Sequence, residues 1–425
     1  MSEKIDQFGA FAAGMLPEHP ERFRRLISAV YRLIGFQTGH FPSKSRLPSR
    51  EYIQSFTARL MADMIADSRG SAVVNIFMPC EIFHALDIKA TVPEALATYI
   101  SCTACERPFI EKAEAEGAPS SFCSYHKILM GLAGLGITKK PLLTANTSLA
   151  CDANQLSFRY LAEQWQVPRV VIDVPFDISE DSVAYVADQL REMGRVAEEA
   201  AGRKLEDSRL KEAVARSIRT QEIFSECLKR RPAVHLPETL SPELLNVMTM
   251  HPYLGLETAE TYVRSLKKDL LTAPKMTTQK KILWMHVMPN GLDSFREIFQ
   301  GPDKTDVEII GCDMTYDALV PMDADKPYES MARRIVYSSF NGSGSRRIEA
   351  TYRMAEEMGA DGILIFCQWG CKQTQGMAFA AQKLFEERGL PTLVLDSDGC
   401  DRMNAGGGQI VTRIQAFLEQ IGAGL

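Results

Sequence analysis

Residues Asp361 to Gly376 read DGILIFCQWGCKQTQG. An apolar run, Ile363 to Phe366, breaks into polar sequence that carries Cys367, Trp369, Cys371 and Lys372. Behind it Met377, Ala381, Leu384 and Phe385 recur at helical spacing, and Gly389 and Pro391 close the pattern. This is a buried strand handing over to an amphipathic helix. Open α/β sheets hold their ligands outside the carboxyl ends of strands. The two thiols at this junction are therefore either small apolar packing residues or ligands, and the stretch alone leaves both readings open.

Working outward, the same alternation recurs. SAVVNIFM (71–78), PLLTA (141–145) and PRVVIDVP (168–175) read as strands, with helices between them. So do ILWMHVM (282–288), DVEIIG (306–311), GILIF (362–366) and PTLVLD (391–396). Strands alternating with helices imply βαβ units and a mainly parallel sheet. From about Ser179 to Leu271 the pattern is helical only, and LTAPKMTTQKK (271–281) reads as a linker. The expected fold is α/β, with two Rossmann-like or flavodoxin-like parallel-sheet domains that resemble old duplicates. The expected divisions are a helical arm over 1–50, a first α/β domain over 51–178, a helical insertion or connector over 179–275, and a second α/β domain over 276–425.

The bulk numbers remove several function classes. The chain has 425 residues, 45% hydrophobic and 24% charged, an ordinary globular composition for two or three domains. Its net charge is −6 and no long basic run occurs, so no nucleic-acid partner is expected. No stretch approaches the ~18 apolar residues of a membrane helix. The start, MSEKIDQFGAFAAGMLPEHP, sets Glu3 and Asp6 ahead of its apolar patch, which is not the pattern of a signal peptide. Ten cysteines in such a chain are expected to be reduced, in the cytoplasm, where metal and redox chemistry become available.

Three of those cysteines sit where chemistry is favoured. Cys151 follows the strand near 141–145, Cys371 follows 362–366, and Cys123 in SSFCSYHKILMGL opens an apparent helix. The positive end of a helix dipole stabilises a thiolate or an anionic thiolate–metal centre. Structural zinc sites show paired local spacings. Cys102 and Cys105 form one such pair without a second, while Cys123 with His126 and Cys367 with Cys371 are looser combinations. The compact ferredoxin run of four cysteines is absent. AGGGQ (405–409) lacks the phosphate-loop pattern, and neither GxSxG nor HExxH occurs. Glu81, in FMPCEIFHALDI, follows a strand end. It is either a carboxylate at a helix start or a base inside the crevice.

Six blocks in order carry a resemblance: FMPCEIFHALDI, SFCSYHKILMG, NTSLACDANQ, FCQWGCKQTQG, GLPTLVLDSDGCD and GGGQIVTRIQAFLEQ. Over residues 51 to 425 the chain resembles a subunit of the 2-hydroxyacyl-CoA dehydratases, relatives of the ATP-dependent benzoyl-CoA reductases. The resemblance implies one [4Fe–4S] cluster on Cys123, Cys151 and Cys371, with an open coordination position, and leaves Cys367 to packing. It implies dehydration of (R)-2-hydroxyacyl-CoA to enoyl-CoA through a ketyl radical, after an ATP-hydrolysing iron–sulfur activator delivers one electron. The partner is then a homologous subunit or a second copy of the chain. Glu81 and Ser124 are the candidate catalytic residues, and Trp369 and Gln373 the candidate substrate-side residues. The alternatives are a subunit of a benzoyl-CoA-type reductase, a non-catalytic iron–sulfur partner subunit, or a structural zinc protein. A double-cubane branch of the superfamily requires further cysteines, and YSSFNGSGSRR (337–347) has none.

Overall fold

The computed structural model describes residues 2–277, 279–289, 293–299, 306–317 and 319–423. Met1 of the expected arm and Thr278 of the expected linker lie outside them. Two parallel sheets form the frame. The first contains β1 (Ser71–Val74), β2 (Lys89–Thr91), β3 (Leu143–Thr147) and β4 (Arg169–Ile172), in the order β2-β1-β3-β4. The second contains β5 (Lys280–Met285), β6 (Val307–Cys312), β7 (Gly362–Gln368) and β8 (Thr392–Ser397), in the order β6-β5-β7-β8. Both sheets run second, first, third, fourth strand. Each therefore reverses direction between its first and third strands, and the carboxyl end there is where open α/β sheets bind ligands. The α/β class expected from the sequence is the class observed. Every residue of β7 is buried, as a parallel strand covered on both faces requires.

Strand ends differ from the sequence reading for local reasons. β1 stops at Val74 rather than Met78 because the Asn75 side chain takes over from the ladder. Its Oδ1 accepts from Thr147 N at 3.0 Å and its Nδ2 donates to Thr147 Oγ1 at 3.1 Å. β5 stops at Met285 because His286 turns the chain with φ 84°. β2 is three residues long, too short to show a period in sequence.

The N-terminal segment forms helices Ser2–Ala13 and Pro20–His40. Phe23, Ile27 and Tyr31 on the second are buried. This helix lies along Pro48–Ala66, and Ser55 Oγ donates to Gly35 O at 2.6 Å. The arm is thus part of the core of the first half. Between the sheets run helices Glu180–Ala201, Asp207–Arg230, Leu240–Met250 and Glu257–Thr272. The isolated bridge Val234–Lys275 is the β pairing there among the described residues. No described helix is long and apolar enough to cross a membrane.

Glu81 departs from its expected place in an open crevice. It opens the short helix Glu81–Ala85 and is fully buried. Arg334, on helix Pro327–Val336, donates to its two oxygens at 2.5 and 2.9 Å, and Ser217 Oγ donates at 2.7 Å. Burial works to raise the carboxyl pKa, but the Arg334 charge and hydrogen bonds outweigh it and hold the group below its usual range. This pair clamps the turn after β1 to one helix of the central segment and one of the second half. Removing one partner of a buried pair strands the other charge. Arg334→Ala is therefore expected to cost about 3–5 kcal/mol in denaturant unfolding, with Glu81→Gln costing less. An Arg334→Ala midpoint equal to wild type would show that the clamp carries no stability.

Candidate metal centre

Each of the three cysteines singled out in the sequence is the residue that opens a helix. Cys123 precedes Ser124–Gly134, Cys151 precedes Asp152–Trp165, and Cys371 precedes Lys372–Glu387. Cys151 and Cys371 are built alike. Each follows the third strand of its sheet, and each is entered through a left-handed residue, Ala150 at φ 66° and Gly370 at φ 79°. At Gly370 the reason is contact. A Cβ there would lie 2.6 Å from Cys123 N, 2.7 Å from Ser121 O and 2.8 Å from Phe122 C, all backbone atoms. The loop after β7 therefore rests on the turn that carries Cys123.

The sulfurs act on one another. Burial pushes the Cys123 thiol well above its usual pKa, with Cys371, Cys151 and Asp398 adding to the effect. Burial and Cys371 do the same for Cys151. Among the described residues no three His, Cys, Asp or Glu side chains close on a single metal ion. The thiols thus share one neighbourhood without forming a one-ion cage. Cys367 lies within β7, buried, its pKa raised to about 12 chiefly by desolvation.

A buried polar network holds this neighbourhood. Asp398 is fully buried, and its Oδ1 accepts from Ser124 Oγ, from Gln368 Nε2 at 3.1 Å, and from Cys400 N and Asp401 N at 2.9 Å. Its Oδ2 has no hydrogen-bond partner among the described residues. His126 Nε2 lies 3.4 Å from Cys151 Sγ, while its Nδ1 meets Ser157 Oγ at 2.8 Å. Burial lowers the His126 pKa to about 4, so the ring is neutral. Cys371 Sγ faces Thr374 Oγ1 at 3.6 Å. Arg347, almost fully buried, donates to Asp313 Oδ2 at 2.7 Å, Gln373 Oε1 at 2.8 Å and Thr374 Oγ1 at 3.4 Å.

Ser124 is accordingly buried, with its hydroxyl committed to Asp398, and Gln373 is held by Arg347. Trp369 is 40% exposed. It lines a groove of about 570 Å³ with Ser121, Gln375, Phe379, Gln382 and Asp396. Sequence reasoning missed Asp398, Arg347 and Glu94. Glu94 sits in the first turn of helix Pro93–Cys102, directly after β2. Its Oε2 is buried with no hydrogen-bond partner among the described residues. Burial raises its pKa to about 7 against hydrogen bonds from its own backbone and that of Ile76. It stands near enough to Cys151 for its charge to raise that thiol's pKa. The available signal was VPEAL, a Pro–Glu helix start, but without β2 it could not be set at a strand end.

A family model described as 2-hydroxyglutaryl-CoA dehydratase, D-component, matches residues 75–421. Similar proteins include the (R)-phenyllactyl-CoA dehydratase alpha subunit of Clostridium sporogenes, 24% identical over 366 residues, 80% of this chain and 87% of the relative. The lactoyl-CoA dehydratase subunit alpha of Anaerotignum propionicum is 24% identical over 393 residues, 82% of this chain and 89% of the relative. The (R)-2-hydroxyisocaproyl-CoA dehydratase alpha subunit of Clostridioides difficile is 22% identical over 370 residues, 80% and 87%.

Glu94 yields a pH prediction. Its folded pKa of about 7 lies above the usual 4.5. The folded chain therefore holds a proton that the unfolded chain releases, and this contribution to stability is lost as pH rises from 4.5 through 7. Glu94→Gln removes the titration. The variant is expected to gain stability over wild type as pH increases across that window, read from unfolding midpoints at pH 5 and pH 8. A constant difference between the two pH values would contradict a raised Glu94 pKa.

Proposed function

We propose the following reading from one premise: the chain belongs to the 2-hydroxyglutaryl-CoA dehydratase D-component family. Its relatives are alpha subunits of 2-hydroxyacyl-CoA dehydratases, and the chain is such a lyase subunit, working in a complex. The reaction is conversion of (R)-2-hydroxyacyl-CoA to enoyl-CoA. One electron added to the thioester gives a ketyl radical anion, which expels the 2-hydroxyl, loses a proton and returns the electron. The electron comes from an ATP-hydrolysing iron–sulfur activator, and the partner is a homologous subunit or a second copy of the chain. Ten cysteines with no disulfide between them fit a reducing cytoplasm.

One observation supports this reading above the others: three thiols from three helix starts gather in one neighbourhood, Cys123 buried and Cys151 and Cys371 half-buried. The donor set fits a [4Fe–4S] cluster held by Cys123, Cys151 and Cys371. Thiolates are the usual ligands of such clusters. Cys123 and Cys151, whose thiol pKa values burial and the neighbouring sulfurs raise, are also groups that a cationic centre would relieve. When bound, the cluster supplies a low-potential electron and an open position for a substrate oxygen.

The chain's own residues do the rest. Helix N-termini favour the net negative charge of the site. Asp398, Ser124 and Gln368 fix the Cys123 turn, so Ser124 acts as a positioning residue. His126 offers its ring to the Cys151 sulfur. Trp369 forms the mouth, Gln373 sits behind it on Arg347, and acyl-CoA enters on this side. Glu94, its carboxyl pKa raised to about 7, gives a proton to the 2-hydroxyl as it leaves as water and regains one when the substrate loses its proton. Glu81 braces the fold through Arg334.

Protein purified without oxygen is expected to carry about four irons per chain with matching acid-labile sulfide. Cys123→Ala, Cys151→Ala and Cys371→Ala should each lose them. Cys102→Ala, Cys105→Ala and Cys367→Ala should keep them. Dehydration of (R)-phenyllactyl-CoA or (R)-lactoyl-CoA should require activator and ATP. Stoichiometric zinc without sulfide would overturn the reading, as would turnover by the chain alone without a strong reductant.

A further inference from the structure

His286 stands at a strand end that none of the roles of Cys123, Cys151, Cys371 or Glu94 involves. It is the first residue beyond β5, the first strand of the second sheet, beside the point where strand order reverses. Its backbone is left-handed at φ 84°, a strained conformation for a residue with a Cβ that persists only where its surroundings enforce it. They do so here. His286 N donates to Asp313 Oδ1 at 2.8 Å, and Cys312 Sγ lies 3.5 Å from His286 O. Such an elbow points a side chain away from the strand line.

The ring is fixed as well. It is 8% exposed, and Arg347 Nη2 stands 3.4 Å from its Nδ1. A guanidinium only donates, so Nδ1 must accept and the ring proton sits on Nε2. Burial, with the Arg347 charge adding to it, holds the ring pKa well below its usual value, so the ring stays neutral. Nε2 has no hydrogen-bond partner among the described residues. The same Arg347 reaches Thr374, in the first turn of the Cys371 helix. One buried cation therefore ties the elbow after β5 to the first turn of the Cys371 helix after β7. A donor held in one tautomer, in one charge state and in strained backbone is a recognition element waiting for an acceptor.

We propose that His286 contacts substrate, donating its Nε2–H to an oxygen on the acyl part of the bound acyl-CoA. This rests on the acyl-CoA reading above. It adds a recognition residue from the second half to Glu94 from the first.

The test uses the oxygen-free, iron-loaded chain with (R)-phenyllactyl-CoA and free CoA as probes in equilibrium titrations. His286→Gly removes the donor and also relieves the backbone. It should unfold at or above the wild-type midpoint and keep its iron, yet bind (R)-phenyllactyl-CoA roughly ten- to a hundred-fold more weakly. Its affinity for free CoA should be unchanged. His286→Asn, which tolerates the left-handed backbone, serves if the glycine variant does not fold, and should show the same selective loss. Equal weakening for both probes, or no weakening for either, overturns the role of His286 while leaving the acyl-CoA reading intact. Wild-type protein that binds no acyl-CoA overturns that reading and this inference together.

Discussion

The contact between Gly370 and the backbone of Ser121 to Cys123 is the constraint on which the rest of the site depends. It is too close for any side chain, and it joins the carboxyl end of the second sheet to a helix start of the first half. Ser124 with Asp398, and Gln368 with Ser124, cross the same seam by hydrogen bonds. Behind it Glu81 and Arg334 cross again as a buried ion pair. Two sheets of identical strand order thus face each other with the ends at which α/β folds bind ligands. Cys151 and Cys371 occupy equivalent places in the two halves, and Cys123 is the odd member, supplied by a loop.

Charge in this interior is uneven, and the unevenness assigns roles. Each half sets an acid at the helix start after its second strand: Glu94 after β2 and Asp313 after β6. Asp313 is neutralised by Arg347 at 2.7 Å. Glu94 has no such cation among the described residues and its pKa rises to about 7. On the proposed reading, proton movement falls to the first half and rigid positioning to the second. Arg347 is nearly buried, stacks on Phe340 at 4.0 Å and spends its donors on four side chains. Such a buried cation costs a great deal to desolvate unless its donors are used, and here they are.

Much of this was legible in sequence because it is written locally. Apolar runs against amphipathic helices gave two parallel sheets, and a cysteine at a strand-to-helix junction is a helix-start residue wherever that junction folds. The resemblance of six short blocks to the dehydratase subunits agrees with the family match over residues 75–421. What escaped depends on partners far away in the chain. Glu81 reads as either a helix-start carboxylate or a crevice base until Arg334, 253 positions on, takes both its oxygens. Asp398 lay inside a quoted block, but its value depends on Ser124, 274 positions back. Glu94 was hidden by a three-residue strand, and the His286 elbow by a strand pattern that continues in sequence past the point where the backbone turns.

On the proposed reading Cys123, Cys151 and Cys371 together hold one multinuclear iron centre between the two halves. Iron-edge X-ray absorption on oxygen-free protein reads that centre out. Iron surrounded by sulfur with a distinct iron–iron shell is expected, and that shell should vanish in Cys371→Ala. Isolated metal ions with no metal–metal scattering, or an iron–iron shell that survives loss of the Cys371 thiol, would contradict it.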